Sequence, residues 1–436
     1  MRPLRSSTVT LGLLSALLAG ACSSASTIPQ PDVGNLPVAP DSARVDIAMP
    51  TFSNPTNVTN RLFPVSSQAS VLLVGAVDDM AFRTEVTLLP ETRIIEWAGL
   101  SVEVLVSQYV AYLDGRIHEV AYDFYAQADD GSVWYFGEDV FNFADGAIAN
   151  THGTWIAGRD GPAAMIMPAD PQVGDVYRPE NIPGLVFEEV TVKEVGQTLD
   201  GPLGPIEGGL LVQELHMDGG TEDKTFAPAY GEFYTSDGVD IEALAMAVPT
   251  DAASGSVPDR LLTIAAGADE VFAAADAGDW NAAASAVEDM NTAWASYPAS
   301  DVPRLVEPIM ADALDALGAE VDAQDAEAAR QAAINVAQST LDLQLRYRPV
   351  TEIDIGRFDL WLAQLQLDAA AEDAGGVNGD LLTLDYIRDR ILQALDASTA
   401  AELNLALEEL QTAVNDGDFA TVIEIAQGLR DLVSGL

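Results

Sequence analysis

Apolar residues change their spacing once along this chain, near residue 250. Before that point they form short runs such as SVLLVGAV at 70–77, or alternate with polar residues as in FRTEVTLL at 82–89, where Pro90 ends the predicted strand. Pairs such as Asp114-Gly115 separate these runs and supply the positive φ of a tight hairpin. Short alternating strands without helical spacing between them predict an antiparallel sheet, either a sandwich or a curved, barrel-like sheet.

After residue 258 the apolar spacing becomes helical, and alanine becomes common. In the segment 352–373, apolar residues recur every three or four positions, which predicts one buried helix face. Asp354 and Arg357 lie three positions apart there, so we expect them to pair on the exposed face. Gly278-Asp279 combines a helix-ending glycine with an N-cap, and the same dipeptide recurs late in the chain. About eight helices are predicted in this half.

These patterns predict an α+β chain of two domains, an antiparallel β-sheet domain followed by an all-α helical bundle. The predicted boundaries are a signal peptide at 1–21, a flexible tether at 22–44, the β domain at 45–248, a linker at 249–257 and the helical bundle at 258–436.

The N-terminus has the pattern of a secretory signal. Arg2 and Arg5 precede the apolar run LGLLSALLAG, and small residues lead to Cys22, which is the only cysteine in the chain. A cysteine at the first mature position resembles the bacterial lipoprotein signal, in which the thiol is acylated. The resemblance implies an extracytoplasmic protein of the cell envelope, anchored to the membrane by lipid on Cys22. One acyl chain binds a membrane only marginally, so a multiply acylated anchor is expected.

Charge narrows the choice of partners. The chain has 68 acidic and 20 basic residues, for a net charge of -48, and its only lysines are Lys193 and Lys224. The acidic excess is spread over both halves and repels nucleic acid and anionic lipid headgroups, which excludes both as partners. An even acidic coat with few lysines is typical of adaptation to a salty medium. A specific cation site is the alternative.

The densest motifs occur in the β half. They are DFYAQADDGSVWYFGEDV at 123–140, GTWIAGRDG at 153–161 and MPADPQVGDVYRPENIPG at 167–184. In these segments the chain resembles a family of uncharacterised secreted bacterial lipoproteins, over roughly residues 110–235. The resemblance implies a β-rich envelope domain and brings no activity with it.

Aromatic strands beside glycine-rich turns suggest a ligand pocket with apolar walls and a few polar groups. The candidate ligand-binding residues are Trp134, Tyr135, Glu138, Trp155, Asp160, Asp175, Tyr177 and Arg178. In the alternative interpretation, the tryptophans fill the core and the acidic residues lie in turns.

The sequence has no motif of a known catalytic class. There is no nucleophile elbow, phosphate-binding loop or dinucleotide fingerprint, so we expect no enzyme and no cofactor. His118, His152 and His216 have no close-spaced partner of ligand type, which predicts no metal site. We expect a non-enzymatic ligand-binding or carrier lipoprotein that takes a small amphipathic ligand. The alternatives are a structural protein that docks an envelope partner through its helices, and a carboxylate-based cation-binding protein or hydrolase.

Overall fold

The computed structural model describes residues 27–28 and 34–436. The predicted signal peptide and Cys22 lie outside the described residues. The described chain forms an antiparallel β-sheet domain followed by a helical domain, which confirms the predicted α+β class. None of its described helices is both long enough and apolar enough to cross a bilayer.

Fourteen strands form the first domain. Their bounds are β1 Ser70–Val77, β2 Met80–Trp97, β3 Leu100–Leu113, β4 Arg116–Gln127, β5 Val133–Ala144, β6 Ala147–Asn150, β7 Trp155–Ile156, β8 Ala164–Met167, β9 Val176–Ile182, β10 Val186–Gly201, β11 Gly204–His216, β12 Thr221–Ala227, β13 Gly231–Ser236 and β14 Ile241–Val248.

All these strands belong to one sheet, in the order β6-β5-β4-β3-β2-β1-β14-β13-β12-β11-β10-β9, with β7 and β8 paired to β5. The two ends of the order are not joined by a ladder of hydrogen bonds. The sheet nevertheless curls, since β9 at one end packs against β8 and β5 near the other. The alternation of the sequence therefore forms one curled sheet, and the sandwich alternative is wrong.

Strand β1 shows why its sequence is a continuous apolar run. Val71 and Leu73 face the interior of the curled sheet, whereas Leu72 and Val74 pack against the helices on its outer face. A strand that is covered on both sides buries consecutive side chains and needs no polar alternation.

Strand β2 continues through Pro90, where a strand end was predicted. The register between β2 and β3 shifts between Leu88 and Thr92, so Pro90 lies in an irregular stretch of the ladder. Proline has no backbone N–H, and an irregularity of this kind is where a sheet tolerates that loss.

Eight α-helices follow the sheet. Their bounds are α1 Asp259–Ala277, α2 Trp280–Ala295, α3 Val306–Ala323, α4 Ala326–Gln344, α5 Val350–Ala370, α6 Ala374–Ile391, α7 Ala397–Asp416 and α8 Phe419–Val433. Between α1 and α2, Gly278 has a φ of 70° and Asp279 accepts a hydrogen bond from the Ala282 N–H, which confirms the predicted helix end and N-cap.

The helices cover the outer face of the sheet. Helices α1 to α4 share a core with β1 and β14, while α5 to α8 enclose a second apolar core. Within the predicted linker, the Asp251 carboxylate accepts from the Tyr230 hydroxyl at 2.7 Å and the Ala247 N–H at 2.9 Å. Arg346 donates to the Asp251 carbonyl at 2.9 Å. Both domains therefore hold this segment in place.

Charged side chains at the boundary between sheet and helices form what we call the interface network. Its members are Arg83 and Glu85 on β2, Asp342 on α4, Asp354 and Arg357 on α5, and Arg390 on α6. Arg357 Nε lies 3.3 Å from Glu85 Oε1, and its Nη2 lies 3.2 Å from Asp342 Oδ1. Arg390 Nη1 lies 2.7 Å from Glu85 Oε2. Three guanidinium groups thus balance three carboxylates.

The predicted Asp354–Arg357 pair forms, but its predicted exposure is wrong. Arg357 Nη1 lies 3.2 Å from Asp354 Oδ1, and each side chain is only 1% exposed. The face of α5 that carries this pair lies against the sheet, where Arg357 also contacts Glu85. The pair is therefore part of the contact between the domains.

Candidate functional site

Seven buried or partly buried carboxyl side chains form a second group, which we call the interior carboxyl cluster. They are Asp123, Glu138, Glu180, Glu188, Glu214, Glu232 and Glu242, and each is linked electrostatically to at least one other member. Strand alternation places them inside the curled sheet. Glu188, for example, shares a strand face with the buried Val190 and Val192.

Asp123 and Glu138 are direct partners in the ladder between β4 and β5. The Tyr135 hydroxyl donates to Asp123 Oδ1 at 2.6 Å, yet burial still raises the pKa of Asp123 to about 7. Burial, together with the nearby Asp123 and Glu180 charges, raises the pKa of Glu138 well above its usual range. Glu138 and Glu180 share a hydrogen bond, so the two carboxyls can hold one proton between them.

Two basic side chains face the cluster among the described residues. Lys224 Nζ lies 3.2 Å from Glu214 Oε2 and 3.4 Å from Glu232 Oε1. His216 Nδ1 lies 3.3 Å from Glu188 Oε1. Seven carboxyls therefore face one ammonium and one imidazole, so acidic side chains outnumber basic ones in this part of the interior.

An interior pocket of about 120 Å³ opens beside the cluster, between β1 to β4 and β13 to β14. Its aromatic lining is Phe63, Tyr109, Tyr125 and Tyr230, and five valine and leucine side chains complete its apolar wall. Its carboxyls are Asp123, Glu232 and Glu242, and its described lining contains no lysine, arginine or histidine. Burial and the Glu232 charge raise the pKa of Glu242 to about 7, and Glu242 Oε1 has no hydrogen-bond partner among the described residues.

Four of the predicted ligand-binding residues lie in the interior beside this pocket, without lining it. Tyr135 stacks on Tyr125 with ring centroids 5.0 Å apart, and Trp155 meets Tyr135 edge to face at 5.4 Å. Glu138 belongs to the interior carboxyl cluster. Tyr177 is 1% exposed and packs in the same core. These residues support the pocket from one side.

The other four predicted residues lie away from the interior pocket, and two of them, Trp134 and Arg178, line a second, much smaller pocket. Trp134 packs on Trp97 and donates to Ser132 Oγ at 2.9 Å. Asp160 accepts from the backbone N–H of Ile156, and Asp175 accepts from that of Gln172, so both stabilise turns. Arg178 donates to Glu189 Oε2 at 2.9 Å, on the opposite strand face from Tyr177. Successive residues in a strand point to opposite faces, so the residues of one strand motif are divided between different environments.

The sequence interpretation missed Glu214, His216, Glu232 and Glu242. Glu214 and His216 lie two and four positions after the buried Val212 in β11, so all three share one strand face. Such spacing predicts that the carboxyl and the imidazole point to the interior. The alternation along one strand does not show which residue of the neighbouring strand lies opposite. Glu188 lies 28 residues before His216, and only the register of β10 against β11 brings them together.

Comparison of this chain with protein-family models, with curated proteins and with solved structures finds no match.

Proposed function

We propose that the protein is a lipid-anchored, extracytoplasmic binding protein for a small organic cation, such as a protonated amine, and that it acts without catalysis. The observation that carries the proposal is the interior pocket, which combines aromatic walls with the carboxyls of Asp123, Glu232 and Glu242 and has no basic side chain in its described lining. Anchoring through Cys22 rests on the N-terminal signal pattern.

Size and chemistry both favour such a ligand. A dry cavity of roughly 150 Å³ holds a benzene ring, and the interior pocket is slightly smaller, at about 120 Å³. Aromatic rings attract an ammonium group through their negative faces, and this attraction strengthens when water is excluded. Phe63 and Tyr125 already meet edge to face at 5.0 Å, which gives the pocket a formed aromatic wall.

The carboxyls supply the selectivity. Burial raises the pKa of Asp123 and of Glu242 to about 7, so near neutral pH each gains or loses a proton readily. A bound cation would stabilise their ionised forms, whereas a neutral ligand would not. The pocket should therefore prefer a cation to a neutral molecule of the same shape.

The binding test uses two five-membered rings of the same shape, pyrrolidinium and tetrahydrofuran, titrated calorimetrically at pH 8 and fixed ionic strength. We expect pyrrolidinium to bind at least about tenfold more tightly, since one buried charge interaction contributes about 1.4 kcal/mol or more. Asp123→Asn should remove most of that preference. Equal binding of the two probes, or binding of neither, would contradict the proposal.

A matched control is Asp139→Asn. Asp139 lies next to Glu138 in β5 but pairs with Arg93 at 2.9 Å and does not line the interior pocket. Its substitution should leave the preference for pyrrolidinium unchanged. An equal effect of both substitutions would show that overall negative charge, and not the pocket, attracts the probe.

The anchor is tested separately in bacterial cells. We expect the full chain to fractionate with membranes and to carry acyl mass on Cys22, and Cys22→Ser to abolish both properties. Ser23→Ala changes the neighbouring residue and should retain both. Membrane association of Cys22→Ser equal to that of the parent protein would contradict lipid anchoring and leave the binding proposal intact.

A further inference from the structure

Glu188, Glu214 and His216 form a compact group at the edge of the interior carboxyl cluster. Each offers one ligand atom, and these atoms all lie within 4.8 Å of one another. Glu188 and His216 are direct partners in the ladder between β10 and β11. Glu214 precedes His216 by two residues and so lies on the same face of β11.

We propose that this triad binds a divalent transition-metal ion of the Zn²⁺ type. His216 Nδ1 lies 3.3 Å from Glu188 Oε1. Two ligands at about 2.0–2.1 Å from a tetrahedral ion are separated by about 3.3 Å. A direct N–H···O hydrogen bond is most often about 2.9–3.0 Å long. The spacing of this pair therefore fits two ligands of one ion, as well as the ion pair that the two side chains form without a metal.

Glu222 occupies the position of an outer carboxylate. Its Oε2 lies 3.4 Å from His216 Nε2, on the side of the imidazole away from Glu188. Histidine ligands of metals commonly direct their second ring nitrogen to a carboxylate, which fixes the tautomer and the ring orientation. With the proton on Nε2, the Nδ1 lone pair is directed toward Glu188.

Glu214 brings a third, buried carboxylate to the group. It is 3% exposed, and Lys224 Nζ lies 3.2 Å from its Oε2. A metal ion at this point would share the carboxylate with the Lys224 ammonium. Glu188 and His216 are partly exposed, so the ion can enter from solvent and keep a water ligand.

The imidazole sets the class of metal. Calcium and magnesium prefer all-oxygen sites, whereas imidazole nitrogen suits zinc and its first-row neighbours. A site of one nitrogen and two carboxylates should therefore select Zn²⁺ or Co²⁺ over Ca²⁺. The prediction of no metal site followed from histidine spacing along the chain, and this site is assembled across two strands instead.

The test is calorimetric titration of the full chain with ZnCl₂ after removal of metals by a chelator, with CaCl₂ present in excess to occupy surface carboxylates. We expect one tight Zn²⁺ site per chain, and a visible Co²⁺ absorption band typical of four- or five-coordinate cobalt. Glu222→Gln should weaken Zn²⁺ binding about 10- to 100-fold, and His216→Ala should weaken it further. His118→Ala is the matched control, because it removes a histidine of the same sheet that lies outside the group, and it should bind as the parent does.

Two results would overturn the proposal. One is the lack of a stoichiometric site in the presence of calcium, and the other is equal binding by the His216→Ala and His118→Ala variants. Should His216→Ala fail to fold, Glu188→Gln and Glu222→Gln decide the question, with circular dichroism as the check on folding. Neither variant changes the lining of the interior pocket, so failure of the metal site and failure of cation binding in the pocket are separate outcomes.

Discussion

The interface network and the interior carboxyl cluster lie on opposite faces of the same sheet, and they differ in charge balance. In the interface network three arginines meet three carboxylates. In the interior, seven carboxyls meet Lys224 and His216. Buried charges are normally paired because an isolated one is costly. The balanced group is therefore explained by the contact between domains, whereas the unbalanced group has room for protons or cations.

Protonation shows the same contrast. Burial alone would raise the pKa of Glu85, but Arg357, Arg83 and Arg390 hold it well below its usual range. Burial raises the pKa of Asp123 to about 7, with a tyrosine hydroxyl as its only hydrogen-bond donor among the described side chains. One carboxyl is locked in its ionised form, and the other titrates near neutral pH.

The largest expected effect comes from breaking the balanced network. Arg357→Met leaves Glu85, Asp342 and Asp354 with too few cations in a buried site, and removing one partner from a buried ion pair typically costs about 3–5 kcal/mol. Urea unfolding followed by circular dichroism measures the loss. A loss below about 1 kcal/mol would show that the interface network does not stabilise the contact between the domains.

Removing a charge from the interior should have the opposite sign. Asp123→Asn keeps an oxygen that can accept from the Tyr135 hydroxyl, but it removes a carboxylate whose ionisation burial opposes. The raised pKa corresponds to a gain of about 2–4 kcal/mol in the free energy of unfolding at pH 8 without ligand. The same urea experiment measures it, and a destabilised variant would mean that the ionised Asp123 has a partner in the folded protein.

The pH dependence of stability sharpens the comparison further. The folded pKa of Asp123 is about 7, above its ordinary value of 3.8, so between about pH 4 and pH 7 the folded state binds more protons than the unfolded state. Stability from this group is complete at low pH and is lost as the pH rises through 7. From pH 5 to pH 8 we expect the parent protein to lose about 2 kcal/mol more than Asp123→Asn. Parallel pH profiles of the two proteins would contradict this.

The smallest effect is expected for a pair outside both groups. Arg388 lies 3.0 Å from Asp385 Oδ1 and 3.0 Å from Asp389 Oδ1, with its side chain 28% exposed. Water screens such a pair, so Arg388→Met should change the free energy of unfolding by less than about 1 kcal/mol. A loss as large as that of Arg357→Met would show that burial does not distinguish the interface network from other ion pairs.

The sequence predicted the elements well and the pairings poorly. Apolar alternation located the strands, and Gly278 with Asp279 marked a helix junction correctly, because both signals depend on neighbouring residues. The burial of Asp354 with Arg357 and the meeting of Glu188 with His216 depend on which elements pack together. Strand register and the packing of the two domains bring together residues that are far apart in the chain. The spacing of neighbouring residues does not predict these contacts.

The candidate site divides in the same way. Tyr135 and Glu138 lie beside the interior pocket, whereas Trp134 and Arg178, which came from the same set of motifs, have other partners. The residues of a motif are continuous in the sequence. A cavity inside a sheet is lined mainly by alternate residues from several strands. Listing the acidic residues that share parity with buried valines would have found Glu188 and Glu214 from sequence.

The segment around Asp251, which both domains hold in place, bears on whether the two domains can be separated. Its composition suggests a joint between two exchangeable modules, but its backbone and carboxylate are held by Tyr230 from the sheet domain and Arg346 from the helical domain. A helical half transplanted onto another protein would lose the partners of Asp342, Arg357 and Arg390 on β2. We therefore expect the two domains to be inherited together as one unit. Producing either domain alone would require a redesign of the surface between them.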